Sequence, residues 1–104
     1  MSKVLSDKFE IIENNDVSRL ILKGDVTIQN TPELKSALVK LDNNKDLIVE
    51  SEELTYIDSS GVACLVLAYK SLTAGGSKLR LHKPSTALIH VLQTLKFDSL
   101  FMIE

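Results

Sequence analysis

Apolar residues fall along this chain with two periods, one of about two residues and one of three to four, and the switches between them predict its elements. Phe9-Glu10-Ile11-Ile12-Glu13 and Ser18-Arg19-Leu20-Ile21-Leu22-Lys23 flank Asn14-Asn15-Asp16, whose side chains favour turns, and together they predict an antiparallel hairpin. After Gly24, Asn30-Thr31-Pro32-Glu33 supplies a cap, a proline at the helix start and an early acid. Leu34, Ala37, Leu38 and Leu41 then recur at helical spacing until Asp42-Asn43-Asn44. Leu47-Ile48-Val49 predicts a buried strand, followed by a loop carrying Glu50, Glu52 and Glu53 and leading to Tyr56-Ile57. A second helix starts after the polar tetrad Asp58-Ser59-Ser60-Gly61 and stops at Gly75-Gly76. Leu79 and Leu81 alternate with Arg80 and His82 as a strand, ended by Lys83-Pro84. Ser85 or Thr86 caps a third helix whose stripe is Leu88, Val91, Leu92 and Leu95, and Leu100-Phe101-Met102-Ile103 returns as an edge strand or a docking tail.

The order ββαβαβα with an optional last strand predicts an α/β fold. Strands separated by helices pair in parallel, the opening hairpin adds an antiparallel pair, and the alternation places the helices mainly on one face of a small mixed sheet. With 104 residues, the chain is expected to be a single domain over 1–104, without repeat or linker, that can fold without disulfide or metal. Composition narrows the function further. Twelve basic against fourteen acidic residues give a net charge of −2, with no basic stripe or row of aromatics to follow a phosphate backbone, so nucleic acid is not an expected partner. The longest apolar run, Val62 to Tyr69, is far short of the ~20 residues that span a bilayer, and no signal-peptide pattern precedes Phe9; a soluble, not membrane-inserted protein is expected. A lone Cys64 in an apolar run fits a reducing cytoplasm.

Asp58-Ser59-Ser60-Gly61 is the strongest candidate for chemistry, because a strand-to-helix junction presents unpartnered backbone N–H groups and a dipole that tolerates negative charge. An anion on Ser59 or Ser60 would be well placed there. The plainer possibility is that Asp58 or Ser59 caps the helix and Gly61 allows close packing. Beyond the tetrad, Val62, Leu65, Val66, Tyr69 and Leu72 fill one helical face and leave Ala63, Cys64 and Leu67 pointing elsewhere, either as a protein-binding surface or under another part of the chain. Other constellations carry less. His82 and His90 have no ligand-spaced partner, so no metal is expected; Cys64 has no basic neighbour to activate it and serves as a small apolar filler. The serines lie in no Gly-x-Ser-x-Gly elbow and Gly75-Gly76 follows a helix instead of preceding one, so neither hydrolase nor nucleotide-loop chemistry is expected, and no cofactor.

Tyr-Ile-Asp-Ser-Ser-Gly-Val at 56–62, Gly24-Asp25-Val26, the glycines 75–76 and the apolar slots Leu88, Leu92 and Phe101 resemble the STAS domain family, over nearly the whole chain. Its best-known stand-alone members are bacterial anti-sigma factor antagonists. The resemblance implies the STAS fold and a non-enzymatic, cytoplasmic signal-transduction protein that regulates transcription by partner switching. In its unphosphorylated form it would bind an anti-sigma factor that is also a serine kinase and so release a sigma factor. Phosphorylation of Ser59, the serine directly after the aspartate, would switch it off, and a serine phosphatase would reset it. Asp58, Ser60 and Gly61 complete the motif, and Gly24, Asp25 and Thr27 match the family's first turn, where Thr27 replaces a frequent aspartate. Glu50-Ser51-Glu52 replaces a usual Asp-Leu-Ser, and with Glu53 it suggests a partner with a basic rim. Related single domains serve as accessory subunits of ABC lipid transporters, docking on the ATPase without phosphorylation, and others as modules of larger sensory complexes; both remain alternatives.

Overall fold

The computed structural model describes residues 2–104, which form six strands and three helices. Strands β1 (Ser2–Leu5), β2 (Phe9–Glu13) and β3 (Val17–Val26) make an antiparallel meander, in which Val4 faces Ile11 and Ile11 faces Leu20. The expected hairpin is therefore present, with one strand more than the pattern predicts: Ser2-Lys3-Val4-Leu5 is too short to announce itself, and Val4 and Leu5 stay exposed on the sheet edge. From β3 onward every pairing is parallel, through β4 (Asp46–Ile57), β5 (Leu79–His82) and β6 (Met102–Ile103). The sheet order is β1-β2-β3-β4-β5-β6, the order of the chain itself.

Strand β4 corrects the expectation of an acidic loop. It runs unbroken for 12 residues, with Glu50, Glu52 and Glu53 inside it. Between Ile21 and Lys23, and again between Gly24 and Asp25, β4 takes up one residue more than β3, so its buried positions shift from Leu47, Val49 and Ser51 to Leu54 and Ile57. Such bulges break the two-residue alternation that would mark a strand. Ser51, fully buried, is satisfied by accepting the Ser85 backbone N–H at 3.0 Å, so a polar residue holds a core position without an orphaned group.

Helix α1 (Thr31–Leu38) ends a turn earlier than the Leu34–Leu41 periodicity suggests, and Leu41 packs on the core from the following turn. Helix α2 (Ser59–Ala74) contributes Val62, Leu65 and Leu72 to the core, and α3 (Thr86–Thr94), capped by Ser85 accepting from the Leu88 N–H, contributes Leu88 and Leu92. These side chains meet Phe9, Ile11, Leu20, Leu22, Leu47, Val49, Leu79 and Leu81 from one face of the sheet. Burying each such side chain contributes about 1.5–3 kcal/mol before conformational entropy is subtracted. Tyr69 and Phe101 meet edge to face at 5.8 Å and fasten α2 to the C-terminal segment. The other sheet face is half-exposed and mixed, its isoleucines Ile12, Ile21 and Ile48 set among ion pairs such as Lys23–Glu10 at 2.6 Å and Arg19–Glu50 at 3.5 Å.

Candidate functional site

The junction between β4 and α2 is built around Asp58. Its extended backbone (φ −96°, ψ −178°) ends the strand and caps the helix, and its Oδ1 accepts the backbone N–H groups of Ser60 at 2.9 Å and Gly61 at 3.1 Å. Ser60 also donates its hydroxyl to Oδ1. The second oxygen, Oδ2, accepts the Ile28 N–H at 3.1 Å, which ties the turn after β3 to the start of α2. Of the two open possibilities for the helix cap, the structure has Asp58 in that role. Ser59 is the first helical residue; it is exposed, and its side chain makes no hydrogen bond among the described residues. Gly61 must be small: a Cβ there would stand 2.6 Å from Ile57 Cγ1 and 3.2 Å from Val26 Cγ1. The tetrad thus contains one cap, one free hydroxyl, one engaged hydroxyl and one steric gap.

Electrostatics follow from this arrangement. Partial burial pushes the Asp58 carboxyl up, but the Ser60 hydroxyl and the Gly61, Ile28 and Ser60 N–H groups outweigh it and hold the group below the usual carboxylate range. The carboxylate is therefore ionised at neutral pH, with Oδ1 crowded by three donors and Oδ2 accepting one.

Ser59, Ala63 and Leu67 follow one another at helical spacing on the outer side of α2, and all three are exposed, Leu67 at 46%. Leu67 opens onto a groove between α1 and α2 that Lys35 and Val39 also line, while Ile28, 65% exposed, rides on the turn held by Asp58. Cys64, grouped with the outward residues on sequence, is instead buried under α1, where its thiol donates to the Thr31 carbonyl at 3.7 Å and burial pushes its pKa up. Its role as a small apolar filler fits that position. On its other side Ser59 faces a cleft shared with Tyr56 of β4 and His90, Val91 and Thr94 of α3.

Thr27 belongs to the same constellation through its backbone: its carbonyl accepts the N–H groups of Asn30 and Thr31, its N–H donates to Asn30 Oδ1, and its hydroxyl accepts the Gln29 N–H. Gly24 and Asp25 stand further back along β3, level with Leu54 and Tyr56. Gly24 takes a left-handed conformation (φ 57°) at the bulge, and Asp25 accepts the Thr55 hydroxyl at 2.7 Å. Sequence reasoning missed Ile28 and Thr31. Thr31, 4% exposed, donates its hydroxyl to Ser60 Oγ at 3.3 Å, a contact across 29 positions that no local pattern announces. Among the described residues no helix is long and apolar enough to cross a membrane, and no group of three His, Cys, Asp or Glu is arranged to hold a metal.

The family model described as "Mlab, STAS domain" matches residues 11–104. The chain is 25% identical over 83 residues to the anti-sigma-B factor antagonist of Bacillus subtilis (strain 168), spanning 79% of this chain and 76% of that protein. Its fold is shared with the anti-sigma factor antagonist SpoIIAA in its unphosphorylated form, with a TM-score of 0.73 and 18% identity, covering 92% of this chain and 86% of the other. The Bacillus cell fate determinant SpoIIAA in its phosphorylated form gives a TM-score of 0.73 and 19% identity, covering 92% and 90%.

Proposed function

This chain belongs to the STAS domain family, and from that premise we propose that it is an anti-sigma factor antagonist switched by phosphorylation of Ser59. Unphosphorylated, it binds an anti-sigma factor that is also a serine kinase, and the bound sigma factor is released. Phosphate on Ser59 ends the association, and a serine phosphatase restores it. The chain acts in the cytoplasm and by binding, without catalysis of its own; any nucleotide belongs to the kinase.

The observation that carries this reading is the contrast between the two neighbouring serines: Ser59 offers an exposed hydroxyl at the first position of a helix, while Ser60 is held from below. A phosphate on Ser59 adds about −1.5 to −2 charge next to the ionised Asp58, at the head of an exposed apolar stripe through Ala63 and Leu67. Repulsion and desolvation there weaken a tight contact, while the helix N-terminus accommodates the charge and the fold persists. The relatives named above support the class of partner, and the existence of SpoIIAA in both forms supports the switch. Incubation with the cognate kinase and ATP, followed by peptide mass spectrometry, is expected to place the phosphate on Ser59; phosphate on another residue overturns the assignment.

A second reading has its own support. The apolar side chains of Ile28, Val39 and Leu67 are exposed and need no phosphate to act as a docking face. Docking on a transporter ATPase would use it constitutively. The two readings separate on one comparison, since a constitutive dock binds its partner equally well before and after modification of Ser59.

A further inference from the structure

Two serine hydroxyls stand side by side at the head of α2, and the chain treats them differently. Ser60 donates its proton to Asp58 Oδ1, and its oxygen accepts the Thr31 hydroxyl at 3.3 Å. Thr31 is itself fixed: it is buried at the first turn of α1, its N–H donates to the Thr27 carbonyl at 2.9 Å and its carbonyl accepts the Cys64 thiol. Ser59 has no such ties among the described residues.

The consequence is chemical. A hydroxyl that donates to a carboxylate is polarised toward its alkoxide, so the contact with Asp58, taken alone, would make Ser60 the stronger nucleophile of the pair. In phosphoryl transfer from a nucleoside triphosphate, a lone pair of the serine oxygen forms the new O–P bond. The bond from the γ-phosphorus to its bridging oxygen breaks, the nucleoside diphosphate leaves, and the hydroxyl proton passes to a base. A free, accessible lone pair is therefore required. Of the two lone pairs on the Ser60 oxygen, Thr31 occupies one from the buried side. That bond together with the donation to Asp58 pins the hydroxyl so that the other cannot turn to meet the phosphorus, whereas the Ser59 hydroxyl keeps both lone pairs and is free to turn.

We infer that Thr31 is a positioning residue that confines phosphorylation to Ser59 by engaging the oxygen of Ser60. Site choice between the adjacent serines is then made within this chain, ahead of any preference of the enzyme. The inference rests on the reading of Ser59 as the phosphate acceptor, and its test separates the two.

Thr31→Val keeps the shape and removes the donor; Thr31→Ser keeps the donor. With the kinase that labels the wild-type chain and ATP, the distribution of phosphate is read by peptide mass spectrometry. Wild type and Thr31→Ser are expected to carry it on Ser59 with a minor share on Ser60, whereas Thr31→Val raises the Ser60-to-Ser59 ratio about fivefold, the weight of one hydrogen bond. Thr31→Ala serves the same comparison should the valine variant not fold. Nuclear magnetic resonance of the unmodified wild type is expected to show slowly exchanging hydroxyl protons for Thr31 and Ser60 and none for Ser59. A Ser60-to-Ser59 ratio unchanged from wild type in the valine or alanine variant, or Thr31 and Ser60 hydroxyls that exchange as fast as that of Ser59, overturns the inference alone. Absence of label from both serines of the wild type removes the phosphorylation reading and this inference with it.

Discussion

Asp58 caps the helix, and under the proposed function Ser59 carries the signal, so substitutions should separate the two. Ser59→Asp places an acid where a helix start accepts one, so thermal stability should hold while partner affinity falls, and Ser59→Ala should bind yet escape the switch. Calorimetric titration of the partner checks this; equal affinity for the aspartate variant and wild type would speak for constitutive docking. Asp58 carries the opposite balance. Its folded pKa lies below that of the unfolded chain, so the unfolded state binds more protons in acid and stability rises with pH. That contribution is complete above the unfolded carboxylate value of about 4 and is lost as pH falls through the lower folded value. Asp58→Ala should therefore lose about 1 kcal/mol at neutral pH, through the missing cap, and the gap from wild type should close in acid. Urea unfolding between neutral pH and the acid range measures it, and a gap independent of pH would contradict the assignment. The tetrad and its cap were legible in sequence because a cap signal is local. Thr31 and Ile28 were not, since their role lies in meeting Ser60 and Asp58 across a fold that no short window contains.

Helix α2 shows how far periodicity reaches. The spacing of Val62, Leu65 and Leu72 identified its buried face and left Ala63 and Leu67 outside, as the structure has them. It misplaced Cys64, because a helical wheel does not know where a second helix will lie, and α1 covers that thiol. Leu67→Lys is accordingly expected to leave the melting temperature within a degree or two, as surface changes do, while weakening partner binding at least tenfold. A large drop in melting temperature would mean that Leu67 is covered in solution, and unchanged binding would move the contact toward Ile28 or the cleft at Tyr56. In β4 the same kind of reading failed for a different reason. Glu50-Ser51-Glu52-Glu53 looks like a loop because two bulges shift the strand's phase and because Ser51 meets its buried hydrogen bond from Ser85, 34 residues away. Pairing with β3 overrides the local preference.

At the scale of the whole molecule, class and layering were legible from the switch between periods, and the outermost strand β1 was not, because its apolar residues pack on an edge instead of in the core. The three helices on one face position the α2 start where β3, β4 and α1 converge, which is why one carboxylate can tie the turn after β3 to the start of α2. The strand order has a separate consequence for how the protein comes apart. Because each strand neighbours only its predecessor and successor in the chain, opening can proceed from either margin inward without disturbing the centre, like slats leaving a stack from its two ends. Amide hydrogen exchange under native conditions should then form a gradient, quick in β1 and β6, slower in β2 and β5, and slowest in β3 and β4. The junction at Asp58, hung from that innermost pair, would be among the last parts of the molecule to let go.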